Sequence, residues 1–153
     1  MIDRRRFLLT LGALATTGAS GQYNAKPRFG SSPFTLGVAS GYPQPTGFAL
    51  WTRLAPAPLA PNGGMAPEVI PVSWEVSRDE AMRNIVAHGT AYATPEWAHS
   101  VHVEVAGLQS ARPHWYRFTA GDVVSPIGRA QTAQNLNALD CVNLGVQVVN
   151  LDA

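Results

Sequence analysis

Apolar and polar residues alternate with a period of two along most of the stretch between residues 34 and 132, and turn-forming residues interrupt the alternation. That period belongs to strands with one buried and one wet face. Phe34, Leu36 and Val38 would share a face of a first strand over 34–40. Ser-Gly-Tyr-Pro-Gln-Pro-Thr then reads as a turn built on Gly41 and Pro43, and a second strand runs over 47–54. Residues 55–67 are rich in proline and glycine and cannot be helical. In 69–77, Ile70, Val72, Trp74 and Val76 fall on one face, with Trp74 as the candidate for the centre of the core. A turn over 78–83 leads to short strands over 85–87 and 90–93, divided by His88-Gly89. Val101, Val103 and Val105 alternate with Ser100, His102 and Glu104. A turn over 107–111 precedes a strand over 114–120 with His114, Tyr116 and Phe118 together, and 123–132 is the last.

Seven or eight short strands without a strong helix predict an all-β fold, an antiparallel β-sandwich of immunoglobulin or fibronectin type III kind. Apolar residues make up 46% of the 153, enough for a core. Charged residues make up only 14%, against about 25% in average soluble domains, which hints at a surface partly covered by something else. The single cysteine, Cys141, excludes an intramolecular disulfide and a multi-cysteine zinc site.

The first residues read differently. Arg4, Arg5 and Arg6 form a basic start, 7–17 is a moderately apolar run, and Ala19, Ser20 and Gly21 are small. The run is too short for the roughly 20 residues of a membrane-spanning helix and reads as an export signal preceding the strands. Arg4, Arg5, Phe7 and Leu8 match the twin-arginine pattern, while Asp3 and Leu9 depart from it. Without residues 1–21, eight basic and nine acidic groups remain. A body so near neutrality gives no reason to expect nucleic acid as a partner. No stable membrane span is expected after cleavage.

Several residues tempt one toward chemistry. His99 and His102 lie three apart, which on a strand means opposite faces, and two ligands do not complete a metal site. Both therefore read as surface histidines; His102 and Glu104 share a face. Asn62-Gly63-Gly64 has neither the lysine nor the helix of a phosphate loop. Trp51, Trp97 and Trp115 read as part core, part interface, and Glu68, Glu75, Asp79 and Glu80 form no recognisable acid/base pair. Cys141 has no histidine close in sequence. No catalytic, cofactor-binding or metal-binding residue is assigned.

Phe-Thr-Leu-Gly-Val-Ala-Ser-Gly over 34–41 and Leu-Trp-Thr-Arg-Leu over 50–54 together resemble the N-terminal domain of PhoD-like alkaline phosphatases. The likeness continues in order through Val-Ser-Trp-Glu-Val over 72–76, His-Ser-Val-His-Val-Glu-Val-Ala-Gly-Leu over 99–108, Trp-Tyr-Arg-Phe over 115–118 and Ser-Pro-Ile-Gly-Arg over 125–129. Tyr42 departs from the aspartate usual after Ser-Gly, and His114 stands where an aromatic corner residue is expected. The resemblance implies a small sandwich ahead of a metallophosphoesterase domain that hydrolyses phosphate esters, with iron and calcium implied only for that domain. Its metal motifs are not in this sequence, and Cys141 lies in the wrong order to be carried over as a ligand.

The expected organisation is a signal and linker over 1–30, a sandwich over 34–133, and a tail over 134–153. Val142, Leu144, Val146 and Val148 alternate in that tail, which would be either a remnant of the catalytic domain's start or sequence unrelated to it. The expected function is that of a non-catalytic accessory domain, a fragment of an exported enzyme, periplasmic or extracellular. Its expected partners are the twin-arginine export machinery and the metallophosphoesterase domain. Two other readings stand beside it: a stand-alone exported binding module, and a truncated gene product without a function of its own. An exposed cluster of Trp and Tyr on one sheet would favour the module.

Overall fold

The computed structural model describes residues 22–23 and 26–135. The expected export signal with Arg4, Arg5, Phe7 and Leu8, the residue Cys141 and the alternation over 142–148 lie outside the described residues.

Among the described residues there are nine strands: β1 (Gln22–Tyr23), β2 (Val38–Gln44), β3 (Gly47–Arg53), β4 (Glu68–Ser77), β5 (Ile85–Ala93), β6 (Ser100–Val105), β7 (Pro113–Ala120), β8 (Val123–Val124) and β9 (Gly128–Gln131). They form two sheets. One runs β5-β4-β7-β9, with β8 also on β7 and the short β1 parallel to the start of β4; the other runs β2-β3-β6. All pairings except that of β1 are antiparallel. The predicted all-β antiparallel sandwich is what forms.

The core lies between the sheets because period-two alternation sends every second side chain inward. Ile70, Val72, Val76, Tyr116, Phe118, Ala120 and Ala130 from the larger sheet meet Phe48, Leu50, Val101, Val103 and Val105 from the smaller one. Burying each large apolar side chain contributes about 1.5–3 kcal/mol, which must offset chain entropy without any covalent staple among these residues.

Several boundaries differ from the sequence expectation. Residues 34–37 are not strand: Phe34 is buried, the chain turns at Thr35-Leu36, and Leu36 is exposed. Thr35 Oγ1 donates to the Ala55 carbonyl and Gly37 N–H to the Phe34 carbonyl, which tightens this turn. The strand β2 begins at Val38 and runs through Gly41 and Pro43, which form a bulge rather than the turn; the turn is Pro45-Thr46, with Gln44 and Gly47 paired across it.

Strand β5 is continuous through His88-Gly89 because the Trp74 ring covers Gly89, its cross-strand partner. Trp74 is in consequence half-buried at the border of the core, and the central large residues are Tyr116 and Phe118. The last expected strand is two: Ser125 is buried between them, its Oγ accepting from the Phe118 N–H and donating to the Pro126 carbonyl.

The two ends of the sandwich differ. The chain enters at the end holding residues 54–67, 94–99 and 121–127, and leaves at the end holding the β2–β3 turn, residues 78–84, residues 106–112 and Thr132 onward.

Candidate functional site

The residues singled out from sequence do not converge. His99 precedes β6 in the left-handed region (φ 57°), following Ala98 in the same region (φ 49°). This double kink turns its side chain inward, and His99 is 1% exposed, not the surface histidine expected. The Glu68 carbonyl can only accept, so Nε2 carries the proton and donates to it at 3.0 Å. The His99 backbone is also engaged: its N–H donates to the Thr94 carbonyl and its carbonyl accepts from Leu54 N–H. Nδ1 is buried without a hydrogen-bond partner. His99 thus fastens the β3–β4 and β5–β6 connections together at the entry end.

His102 is exposed on the outer face of β6, opposite Trp51 of β3, with Glu104 opposite Ala49. The two histidines do not meet.

His114 is 1% exposed at the exit end. Its Nδ1–H donates to the Arg112 carbonyl (3.1 Å), and its ring stands edge-on to Phe48 at 5.9 Å. Burial pushes its pKa down; the Arg112 carbonyl opposes that, and the Arg78 charge adds to it. Nearby, Asp79 organises the β4–β5 turn. Its carboxylate accepts from Ser77 Oγ, from the Asn84 N–H and from the Arg83 N–H. These donors, Ser77 first, lower its pKa from 3.8 to about 2.

Among the described residues, no three His, Cys, Asp or Glu side chains gather where they could hold a metal ion. The donors that iron or calcium require are therefore not assembled by these residues, and no chemical step is routed through either metal. No described helix is long and apolar enough to cross a membrane.

The aromatics are dispersed as well. Trp51 is exposed on the outer face of the smaller sheet. Trp115 is half-buried on the outer face of the larger one, with the Arg129 guanidinium 6.0 Å from its ring centre. Trp97 is exposed in the Pro95–Trp97 turn, and none of the three enters the core. Tyr23 and Tyr92 touch at 6.2 Å with planes tilted by 58°, too steep for one flat platform. Sequence reasoning missed one feature. Tyr42, at the crest of the β2 bulge, is 74% exposed on left-handed backbone (φ 50°). The departure of this position from the usual aspartate was its only signal.

Residues 18–134 match the family described as PhoD-like phosphatase, N-terminal domain. The chain is 48% identical over 139 residues to Alkaline phosphatase D of Bacillus subtilis (strain 168), covering 85% of the chain and 24% of that protein. It thus spans about a quarter of the length of this curated relative. The solved structure titled "Structure of PhoD" superposes with a TM-score of 0.69 at 52% identity, over 71% of this chain and 20% of that one. The sensor domain of the anti-sigma factor RsgI4 from Pseudobacteroides cellulosolvens shares the fold alone. Its TM-score is 0.51 at 7% identity, over 76% of this chain and 89% of that one.

Proposed function

The chain belongs to the PhoD-like phosphatase family as its N-terminal domain, and from that premise we propose that it serves as the non-catalytic accessory domain of an exported phosphoric ester hydrolase. The observation that carries this reading is the match of residues 18–134 to the N-terminal domain of the family, within a relative of which the chain spans only 24%. Chemistry on a phosphate ester needs a positioned nucleophile and stabilisation of the developing charge. The metal-holding part of the enzyme is assigned to the domain that follows in the family. Export through the twin-arginine route belongs to the same reading, on the strength of Arg4, Arg5, Phe7 and Leu8. The three-on-four strand order, β2-β3-β6 facing β5-β4-β7-β9, supports a fibronectin type III-like type of sandwich.

The test is hydrolysis of p-nitrophenyl phosphate and bis-p-nitrophenyl phosphate by purified residues 22–153, with iron and calcium supplied. No turnover above a metal blank is expected. Chelator-sensitive turnover would overturn the assignment.

A further inference from the structure

A strand at the rim of a sheet presents a row of unpaired N–H and C=O groups, and proteins blunt such rims with charge, proline, bulges or brevity. Among the described residues, the other rims are blunted in these ways. Strand β2 has Pro43 and a bulge, β6 has six residues and carries Glu104, and β9 has four residues and carries Arg129. Strand β5 differs. Among the described residues it pairs with β4 alone, and its nine residues, Ile-Val-Ala-His-Gly-Thr-Ala-Tyr-Ala, include no proline and no Asp, Glu, Lys or Arg. Its one irregularity is a register shift at Val86, which leaves 87–93 in unbroken register with β4. Strand β6 of the smaller sheet lies alongside without pairing to it.

The side chains of β5 say what fits this edge. Ala87, Gly89 and Ala91 lie opposite Val76, Trp74 and Val72 and point inward, whereas His88, Thr90 and Tyr92 are exposed on the outer face. A second copy related by a two-fold axis perpendicular to the sheet would run antiparallel to β5 and keep inner faces inner. Centred on Gly89, that axis sets Ala87 against Ala91 of the second copy and His88 against Thr90 of the second copy. Small residues meet small ones on the inner face and polar residues meet polar ones on the outer face, with no like charges opposed.

The ends of the strand match by charge. Antiparallel pairing brings the 78–84 turn of one copy to the end where the other holds 94–99. Arg83 has a side chain 83% exposed despite its 3.4 Å contact with Asp79. It comes to the same end as the exposed Glu96 and the 76% exposed Trp97 of the second copy, and symmetry repeats the match at the other end. An arginine beside a carboxylate and a tryptophan is a common interface composition. Each copy has one such rim, so the pairing closes at two copies and does not propagate.

We propose that two copies of this chain pair antiparallel through the free edges of β5, centred on Gly89, and so join their larger sheets into one continuous sheet.

The test is sedimentation equilibrium of the 153-residue chain at concentrations up to about 1 mM, beside two double variants at exposed outer-face positions. His88→Lys with Thr90→Lys sets like charges directly opposite each other across the axis, and His88→Lys with Thr90→Glu sets opposite ones there. The parent is expected to dimerise as concentration rises. The first variant should weaken the dimer about tenfold, and the second should return it to within about threefold of the parent. A parent that stays monomeric, or two variants that behave alike, would overturn the pairing. Where a variant fails to fold, amide exchange of the parent decides. Exchange over 87–91 that slows with rising concentration supports the pairing. Exchange there that is fast at every concentration, or slow at every concentration because another part of the same chain covers the edge, sinks it.

Discussion

Gly128 of β9 lies directly across from Tyr116 of β7, and the phenol ring covers it so closely that a Cβ at Gly128 would stand 2.3 Å from Cζ. Tyr116 is 2% exposed and packed edge-on to Phe118 at 6.3 Å, so the ring has nowhere to go. Gly128→Ala is therefore expected to cost about 1–3 kcal/mol, the range for overpacking a dense core. Gly30→Ala is the control, because a Cβ there meets nothing within 4 Å, and it should stay within about 0.5 kcal/mol of the parent. Urea unfolding of the two variants beside the parent checks this; equal midpoints would refute the ring contact.

The same arrangement explains what the sequence left out. Trp74 covers Gly89 as Tyr116 covers Gly128, a cross-strand aromatic shielding a strand glycine. A glycine inside a run reads as a break when only its neighbours in sequence are considered. The covering ring comes from another strand, so the break at His88-Gly89 was expected where none exists. Strands β4, β6 and β7 were legible because each carries its own alternation, visible without a partner. The bulge at Gly41–Pro43 was not legible, because Gly and Pro signal bulges and turns alike. His99 escapes the pattern for a related reason: two successive left-handed residues, Ala98 and His99, put it off the strand and outside the strand's period. As for the candidate site, the exposed Tyr42 crest could not be read from the sequence, because it depends on the register shift of β2 against β3.

The buried His114 makes the exit end sensitive to mild acid. Its folded pKa lies below the usual 6.5, so the unfolded chain takes up the proton first as pH falls. Stability from this group is intact above 6.5 and declines as pH drops below it, levelling off once the folded protein is protonated as well. His114→Phe should flatten that decline while keeping the edge contact with Phe48. The Arg112 carbonyl retains the Thr132 N–H at 3.1 Å and so is not orphaned. Thermal melts from pH 7.5 to 5 compare the two proteins; parallel slopes would refute the assignment.

Asp79 acts in a lower window. Its carboxyl is depressed to about 2 by Ser77 Oγ and the backbone donors of Asn84 and Arg83, so the stability it contributes is present above 3.8 and lost as pH falls through about 2. Asp79→Asn should be less stable than the parent at pH 6 and should lose less between pH 4 and 2. Circular dichroism melts across that range give the answer, and an Asp79→Asn curve parallel to the parent's would exclude the role.

Arg117 and Glu75 form a cross-strand pair on the outside of the larger sheet, Nη2 to Oε2 at 2.7 Å, and each side chain is about one-third exposed (33% and 35%). Short geometry alone argues for a strong contact, but exposure of this order lets water compete for both charges. A double-mutant cycle through Arg117→Ala and Glu75→Ala should give a coupling of about 0.2–1 kcal/mol, diminished by added salt. A coupling well above that range, insensitive to salt, would mean that the pair is shielded in solution and that this sheet face is covered.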